Sequence, residues 1–275
     1  MRAPARGHAD IWTAVPEDVG AEELAGLTRL LSRDELARAA GFAVEPARQR
    51  YIVTRALLRL SLSRYADVAP EAWAFAHGTH GKPRLDGAQA ALGLCFNVSH
   101  SAGLVACAIA SSDVGIDVQN TARVPPARVR ERYLAPVERE ALVGLPDSER
   151  DARFFEYWTL KEAYVKARGL GFSLPLAQIG FELRPSGVSL SLGLGCPDDG
   201  RRFWLKTWRV SGEHRMALAL ARPPTGAPGS PAPPRAGAVS LSPGECLPIV
   251  EVEPGFSGLP VRLTGAPRPR ASKSP

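Results

Sequence analysis

Leu24, Leu27, Leu30 and Leu31 recur at helical spacing within residues 22–40, and Ser32 followed by Glu35 is a capping-box signature that predicts a second helix starting there. Residues 47–65 carry a longer amphipathic pattern, with Tyr51, Leu58 and Leu62 on one side and arginines elsewhere. After a Gly-rich turn at 77–83, short apolar runs predict strands at 94–98, 104–110 and 114–118, with a turn at 111–113 between the last two. The pattern is helical again over 125–142 and most strongly over 151–168. Strand-like runs follow at 179–183, 188–192, 203–210 and 216–221, separated by Gly, Pro and Asp. Helices followed by strands thus occur twice, before and after about residue 112. The expected fold class is α+β in two similar-sized halves, 10–112 and 113–222, although no internal sequence repeat is evident. Beyond Arg222 the periodicity stops, and 223–275 is expected to be a disordered, Pro-rich tail with one short strand at 247–252.

Composition sharpens that division. Of 25 prolines, 13 fall in the last 53 residues. The net charge of +6 splits into +2 on this tail and +4 on the body, so the body is mildly basic in its own right. A basic balance suits an anionic partner. The charges are spread out, however, and no RNA- or DNA-binding motif is present, which argues against nucleic acid. Only five of the 34 basic residues are lysines (Lys82, Lys161, Lys166, Lys206, Lys273). An ammonium is a compact point charge and a guanidinium a planar fork, so a lysine kept against an arginine-rich background marks a position worth inspecting. The four cysteines show no CxxC and no zinc-like spacing with histidine. The longest purely apolar run, 104–110, is too short to span a bilayer, and the first residues lack the apolar stretch of a secretory signal. A soluble, cytoplasmic protein without membrane contact is expected.

Four segments carry candidate chemistry. In Gly115-Ile116-Asp117-Val118-Gln119, a strand would turn Ile116 and Val118 one way and Asp117 and Gln119 the other, and two oxygen-bearing side chains side by side suit a hard cation. A half-buried strand with a polar outer face explains the same pattern. In residues 154–166 most of the helix circumference is apolar, yet Lys161, Glu162 and Lys166 sit within it. Buried charges are costly unless paired or bound to something. Glu162 and Lys166 can form a helix ion pair, or can serve a metal-bound phosphate together with Lys161. In Phe96-Asn97-Val98-Ser99-His100-Ser101, the polar groups can donate hydrogen bonds to phosphate oxygens. Ser99 and His100 are neighbours on a predicted strand and point apart, which argues against a hydrolytic Ser–His pair. The turn Thr79-His80-Gly81-Lys82-Pro83 adds one more phosphate-seeking charge.

In their order and spacing, these four motifs together resemble the 4′-phosphopantetheinyl transferases of the surfactin-synthetase-activating type, over roughly residues 32–192. Residues 169–176 (GLGFSLPL) look like the loop that family carries after its helical motif. The resemblance implies two pseudo-symmetric α+β halves with coenzyme A in the cleft between them. The implied reaction moves 4′-phosphopantetheine from coenzyme A to a serine of an acyl or peptidyl carrier protein. Carried over position by position, Asp117 and Glu162, with Gln119, would hold Mg²⁺, while Lys161 and Lys166 would stabilise phosphate charge and Glu162 would act as general base. Lys82, Asn97, Ser99 and His100 would hold coenzyme A, with Arg38 and Arg48 at its adenosine end. Bacterial relatives often have Glu where this chain has Gln119, so a catalytically weakened coenzyme A- or carrier-binding module is the alternative. Carrier proteins of this kind are generally acidic, and the stretch 123–132 (RVPPARVRER) is a candidate surface for one, although a solvated helix start explains it equally. With both halves in one chain, a monomer is expected.

Overall fold

A computed structural model describes residues 7–78, 80–196 and 202–222, together with Pro4 and two paired dipeptides, Val250–Glu251 and Arg262–Leu263. The rest of the proline-rich segment, and with it the expectation of disorder and most of the strand expected at 247–252, lies outside the described residues. So does Thr79.

The N-terminal half begins with β1 (Ala9–Ala14), then α1 (Ala21–Thr28), α2 (Arg33–Ala40) and α3 (Glu45–Leu62). The break before α2 falls where the capping signature places it: the Glu35 amide donates to Ser32 Oγ at 3.3 Å, and the Ser32 amide to Glu35 Oε2 at 2.9 Å. Next come a small hairpin, β2 (Phe75–His77) with β3 (Pro83–Leu85), and the pair β4 (Cys95–Ser101) and β5 (Leu104–Ala110). The C-terminal half runs β6 (Val114–Asn120), α4 (Ala127–Tyr133), α5 (Pro136–Val143), α6 (Asp147–Arg168), then hairpin β7 (Ile179–Arg184) with β8 (Gly187–Leu192), and β9 (Phe203–Arg209) with β10 (His214–Ala221). The helix expected over 125–142 is therefore two helices. Pro136 at the first turn of α5 interrupts it, and the Ala135 amide is capped by Glu138 Oε2 at 2.8 Å.

The two halves share one plan. Each is a strand, a long helix, a small hairpin and a strand pair whose last member returns to the centre, giving sheet orders β1-β5-β4 and β6-β10-β9. This topological repeat leaves no trace in the residues, because each half packs its own side chains. α3 covers one face of the first sheet through Val105, Cys107 and Ile109; α6 covers one face of the second through Ala217, Ala219 and Ala221. The opposite faces meet in a third core containing Ile11, Leu104, Ala106, Ala108, Val114, Ile116, Val118, Met216 and Leu218. β5 is consequently buried on both faces, which explains its unbroken apolar run. Strand β1, with Ile11 on its inner face, was not visible as a strand in the sequence pattern.

Candidate active site

β4 and β6 lie side by side at the seam between halves without forming a common ladder. Instead, the side chains of β4 take the free edge amides of β6. The Ile116 amide donates to Asn97 Oδ1 at 2.8 Å, the Val118 amide to Ser99 Oγ at 3.2 Å, and the Asn120 amide to Ser101 Oγ at 2.7 Å. Asn97 and Ser99 are buried. A sheet edge inside a protein must have its donors satisfied, and small polar residues at period two do it here.

Gly115 allows α6 to lie directly on β6. A Cβ there would sit 2.0 Å from the Ala163 carbonyl oxygen and 2.4 Å from the Ala167 nitrogen. This close approach brings Glu162 and Lys166 against Asp117, which is buried on the α6-facing side of β6 as the strand alternation predicts. Lys166 Nζ reaches Asp117 Oδ1 at 2.6 Å and donates to Ser99 Oγ at 3.1 Å. Ser99 in turn donates to Asp117 Oδ1 at 2.9 Å, and Gln119 Nε2 donates to Asp117 Oδ2 at 3.0 Å. Burial and the nearby Asp117 carboxylate raise the proton affinity of Glu162 above that of an ordinary glutamate, against the opposing pull of Lys166. Glu162 is thus a carboxylate disposed to accept a proton.

Glu162 and Lys166 form one wall of a 280 Å³ cleft between the halves. The N-terminal half contributes His80, Gly81, Lys82, Pro83 and Asn97; Val165, Gly169, Gly171 and Leu176 complete the lining. Lys82 spans the cleft: its ammonium donates to the carbonyls of Ala167 at 3.0 Å and Val114 at 3.2 Å, so it ties the C-terminal end of α6, the negative end of the helix dipole, to the other half. Gly169 ends α6 in the left-handed conformation at φ 66°.

Other candidates stand elsewhere. Lys161 is 0% exposed and turned away from the cleft, into the core of the C-terminal half. Its ammonium pairs with Glu138 Oε2 at 2.8 Å, donates to the Leu176 carbonyl at 2.9 Å and reaches the Ile179 carbonyl. Glu138 also accepts from the Phe181 amide at 3.1 Å, and burial raises its proton affinity while lowering that of Lys161. With all of its donors used, Lys161 holds the segment that carries Leu176 to the cleft wall, and the phosphate-binding role suggested by resemblance is withdrawn. Arg48 pairs with Glu45 at 3.1 Å and Arg38 lies over the Tyr51 ring at 5.8 Å; neither belongs to the cleft wall. His100, open to solvent at its edge, has its proton affinity lowered by partial burial and by the cations Arg50 and Lys166. Arg50 was missed in the sequence: it has no hydrogen-bond or ion-pair partner among the described residues, and nothing but its place on an arginine-rich helix face signalled it. Glu138 was missed too, since its partner lies 23 residues away on another helix.

The fold and this site define a two-lobed α+β protein whose inter-lobe cleft brings carboxylates and ammonium groups together. Comparison with known proteins narrows the class. Residues 113–219 match the family described as the 4′-phosphopantetheinyl transferase superfamily, and residues 18–112 match 4′-phosphopantetheinyl transferase, N-terminal. The chain is 38% identical to the 4′-phosphopantetheinyl transferase HetI of Nostoc sp. (strain PCC 7120) over 174 residues, 62% of this chain and 73% of that protein. It is 30% identical to the 4′-phosphopantetheinyl transferase Sfp of Bacillus subtilis (strain 168) over 175 residues, 63% of this chain and 75% of that one. The chain belongs to the 4′-phosphopantetheinyl transferase superfamily, whose members move the phosphopantetheine arm of coenzyme A onto carrier proteins.

Proposed function

We propose that this transferase is a magnesium-dependent, monomeric enzyme of the cytoplasm that attaches 4′-phosphopantetheine to a serine of an acidic acyl or peptidyl carrier protein and releases adenosine 3′,5′-bisphosphate. The observation that carries the reading is the meeting of the buried Asp117 with Glu162 and Lys166, which line a cleft shared by both halves. Cys95, Cys107 and Cys196 are free thiols, consistent with a reducing compartment. Among the described residues no helix is long and apolar enough to cross a membrane.

In the proposed reaction the serine hydroxyl attacks the pantetheine-side phosphorus, the bond to the bridging pyrophosphate oxygen breaks, and the nucleotide phosphate leaves with the electron pair. Glu162, with its raised proton affinity, takes the hydroxyl proton. Lys166 supports the charge on the phosphoryl oxygens, Lys82 and Arg50 are the remaining cations for coenzyme A phosphates, and His100, its proton affinity lowered, serves as a neutral hydrogen-bonding group. Asn97 and Ser99, engaged with β6 and Asp117, act by shaping the cleft.

The donor set fits a hard cation: two carboxylates, Asp117 close enough to raise the proton affinity of Glu162, with the Gln119 amide beside them. Asp117 and Glu162 would hold Mg²⁺, with Gln119 binding through water, and the ion would supply charge neutralisation at the pyrophosphate.

The test is incubation with coenzyme A, Mg²⁺ and apo carrier proteins of fatty-acid, polyketide and peptide type, followed by intact-mass measurement. One added phosphopantetheine is expected, its formation blocked when a chelator is present and restored by excess Mg²⁺. Absence of mass gain on every carrier would favour the non-catalytic module, the reading to which the neutral Gln119 lends support.

A further inference from the structure

Gln119 on β6, Arg215 on β10 and Arg209 on β9 are direct partners across three adjacent strands. Residues opposite one another in antiparallel strands point to the same face, so both guanidiniums share the α6-facing side with Gln119 and, two residues back, Asp117. Like charges placed directly opposite are destabilising. Arg215 is compensated: its side chain is only 13% exposed, and Glu156 Oε1 lies 3.1 Å from its guanidinium. That same glutamate also pairs with Arg153 at 2.9 Å. Arg209 is exposed and has no hydrogen-bond or ion-pair partner among the described residues.

The two arginines line a 180 Å³ cavity with Thr121, Ser211, His214 and Asp151. Of the charged lining residues, Arg215 is answered by Glu156 and Asp151 by Arg130, which leaves Arg209 as the lining charge without an ion-pair partner among the described residues. The cavity uses α6 at Asp151 and Phe155, about two turns before Glu162. The coenzyme A cleft uses the same helix from Glu162 onward. An anion in this cavity consequently belongs to what approaches from the other end, the second substrate.

We propose that the Arg209–Arg215 cavity anchors an acidic side chain of the carrier protein, about two strand spacings, ~10 Å, from Gln119. The inference rests on the transferase reading, because the occupant is the acceptor of that reaction. It requires the carrier to present a carboxylate one to two helical turns from its reactive serine. α4 reaches the cavity wall through Arg130, which pairs with Asp151.

Arg209→Glu in the full chain tests it, because Arg209 is exposed and touches no residue of the cleft. At low salt the KM for apo carrier should rise roughly fivefold or more. The KM for coenzyme A, kcat and the thermal midpoint should stay unchanged, and the effect should shrink in 0.5 M KCl. Replacing the carrier's acidic residue by lysine should restore affinity for the Arg209→Glu enzyme. An equal rise in the KM for coenzyme A would overturn the proposal by assigning the cavity to a coenzyme A phosphate; an unchanged carrier KM at low salt would overturn it outright. Binding of a fluorescent apo carrier, read by anisotropy, separates this from the reaction itself. If the wild-type chain bound but did not modify the carrier, the transferase reading would fail while weaker binding by Arg209→Glu would still support the anchor.

Discussion

Lys161 and Lys166 lie five positions apart on α6, about 140° around its axis, so a straight helix cannot turn both ammonium groups into one cleft. Glu162 and Lys166, four apart, share a face and line it together. The difference predicts opposite phenotypes. In the proposed reaction Lys166→Met removes the charge that supports the phosphoryl oxygens and should cut kcat about a hundredfold or more. Lys161→Met strands the fully buried Glu138 carboxylate and should cost about 3–5 kcal/mol of stability in urea denaturation, with turnover of the folded fraction much less affected. Adding Glu138→Gln to Lys161→Met removes the stranded charge and should recover most of that loss. A double variant that is stable yet inactive would restore a chemical role to Lys161.

At the scale of elements, the site depends on how closely one helix lies on one strand. Asp117 comes from β6, Glu162 and Lys166 from α6, and the contact between these backbones passes through Gly115. Gly115→Ala places a methyl group inside van der Waals contact of helix backbone that cannot step aside. It should cost about 3 kcal/mol or more, the upper end for overpacking. It should also lower kcat disproportionately, although Gly115 touches no substrate, because Asp117 and Glu162 would be pushed apart. A thermal melt and a kcat measurement on the same sample check both. The glycine of the GIDVQ motif is thus explained by packing, and its Asp by the pairing with Lys166 across that contact.

At the scale of the molecule, two halves with the same topology are joined by a shared apolar core and by the Asn97–Ser99–Ser101 row, with Lys82 as a clasp across the cleft. Ser99 belongs to both the seam and the site. Ser99→Ala leaves the Val118 amide unpaired, costing about 1–3 kcal/mol, and frees Asp117 and Lys166 from a common partner. The expected result is a lower kcat with unchanged affinity for coenzyme A in the absence of metal, and rescue by Ser99→Thr, which keeps the hydroxyl. A weakened coenzyme A affinity in calorimetry would instead place Ser99 on the ligand. Much of this architecture was legible along the chain, including the restart at Ser32, the strands β5, β6 and β10 of the third core, and the order of the four motifs. Those features rest on local periodicity, on caps and turns, and on residue types set by short-range geometry. What the chain alone left open was the destination of each polar side chain. Lys161 and Lys166 differ only by rotation about α6. Asn97 and Ser99 were equally good donors for a phosphate until β6 presented unpaired amides beside them. Glu138 acquires its meaning only from a partner on another helix. Periodicity tells which face of an element is polar; the packing of elements decides what that face meets, because the partners of a buried charge are chosen by tertiary approach and not by spacing along the chain.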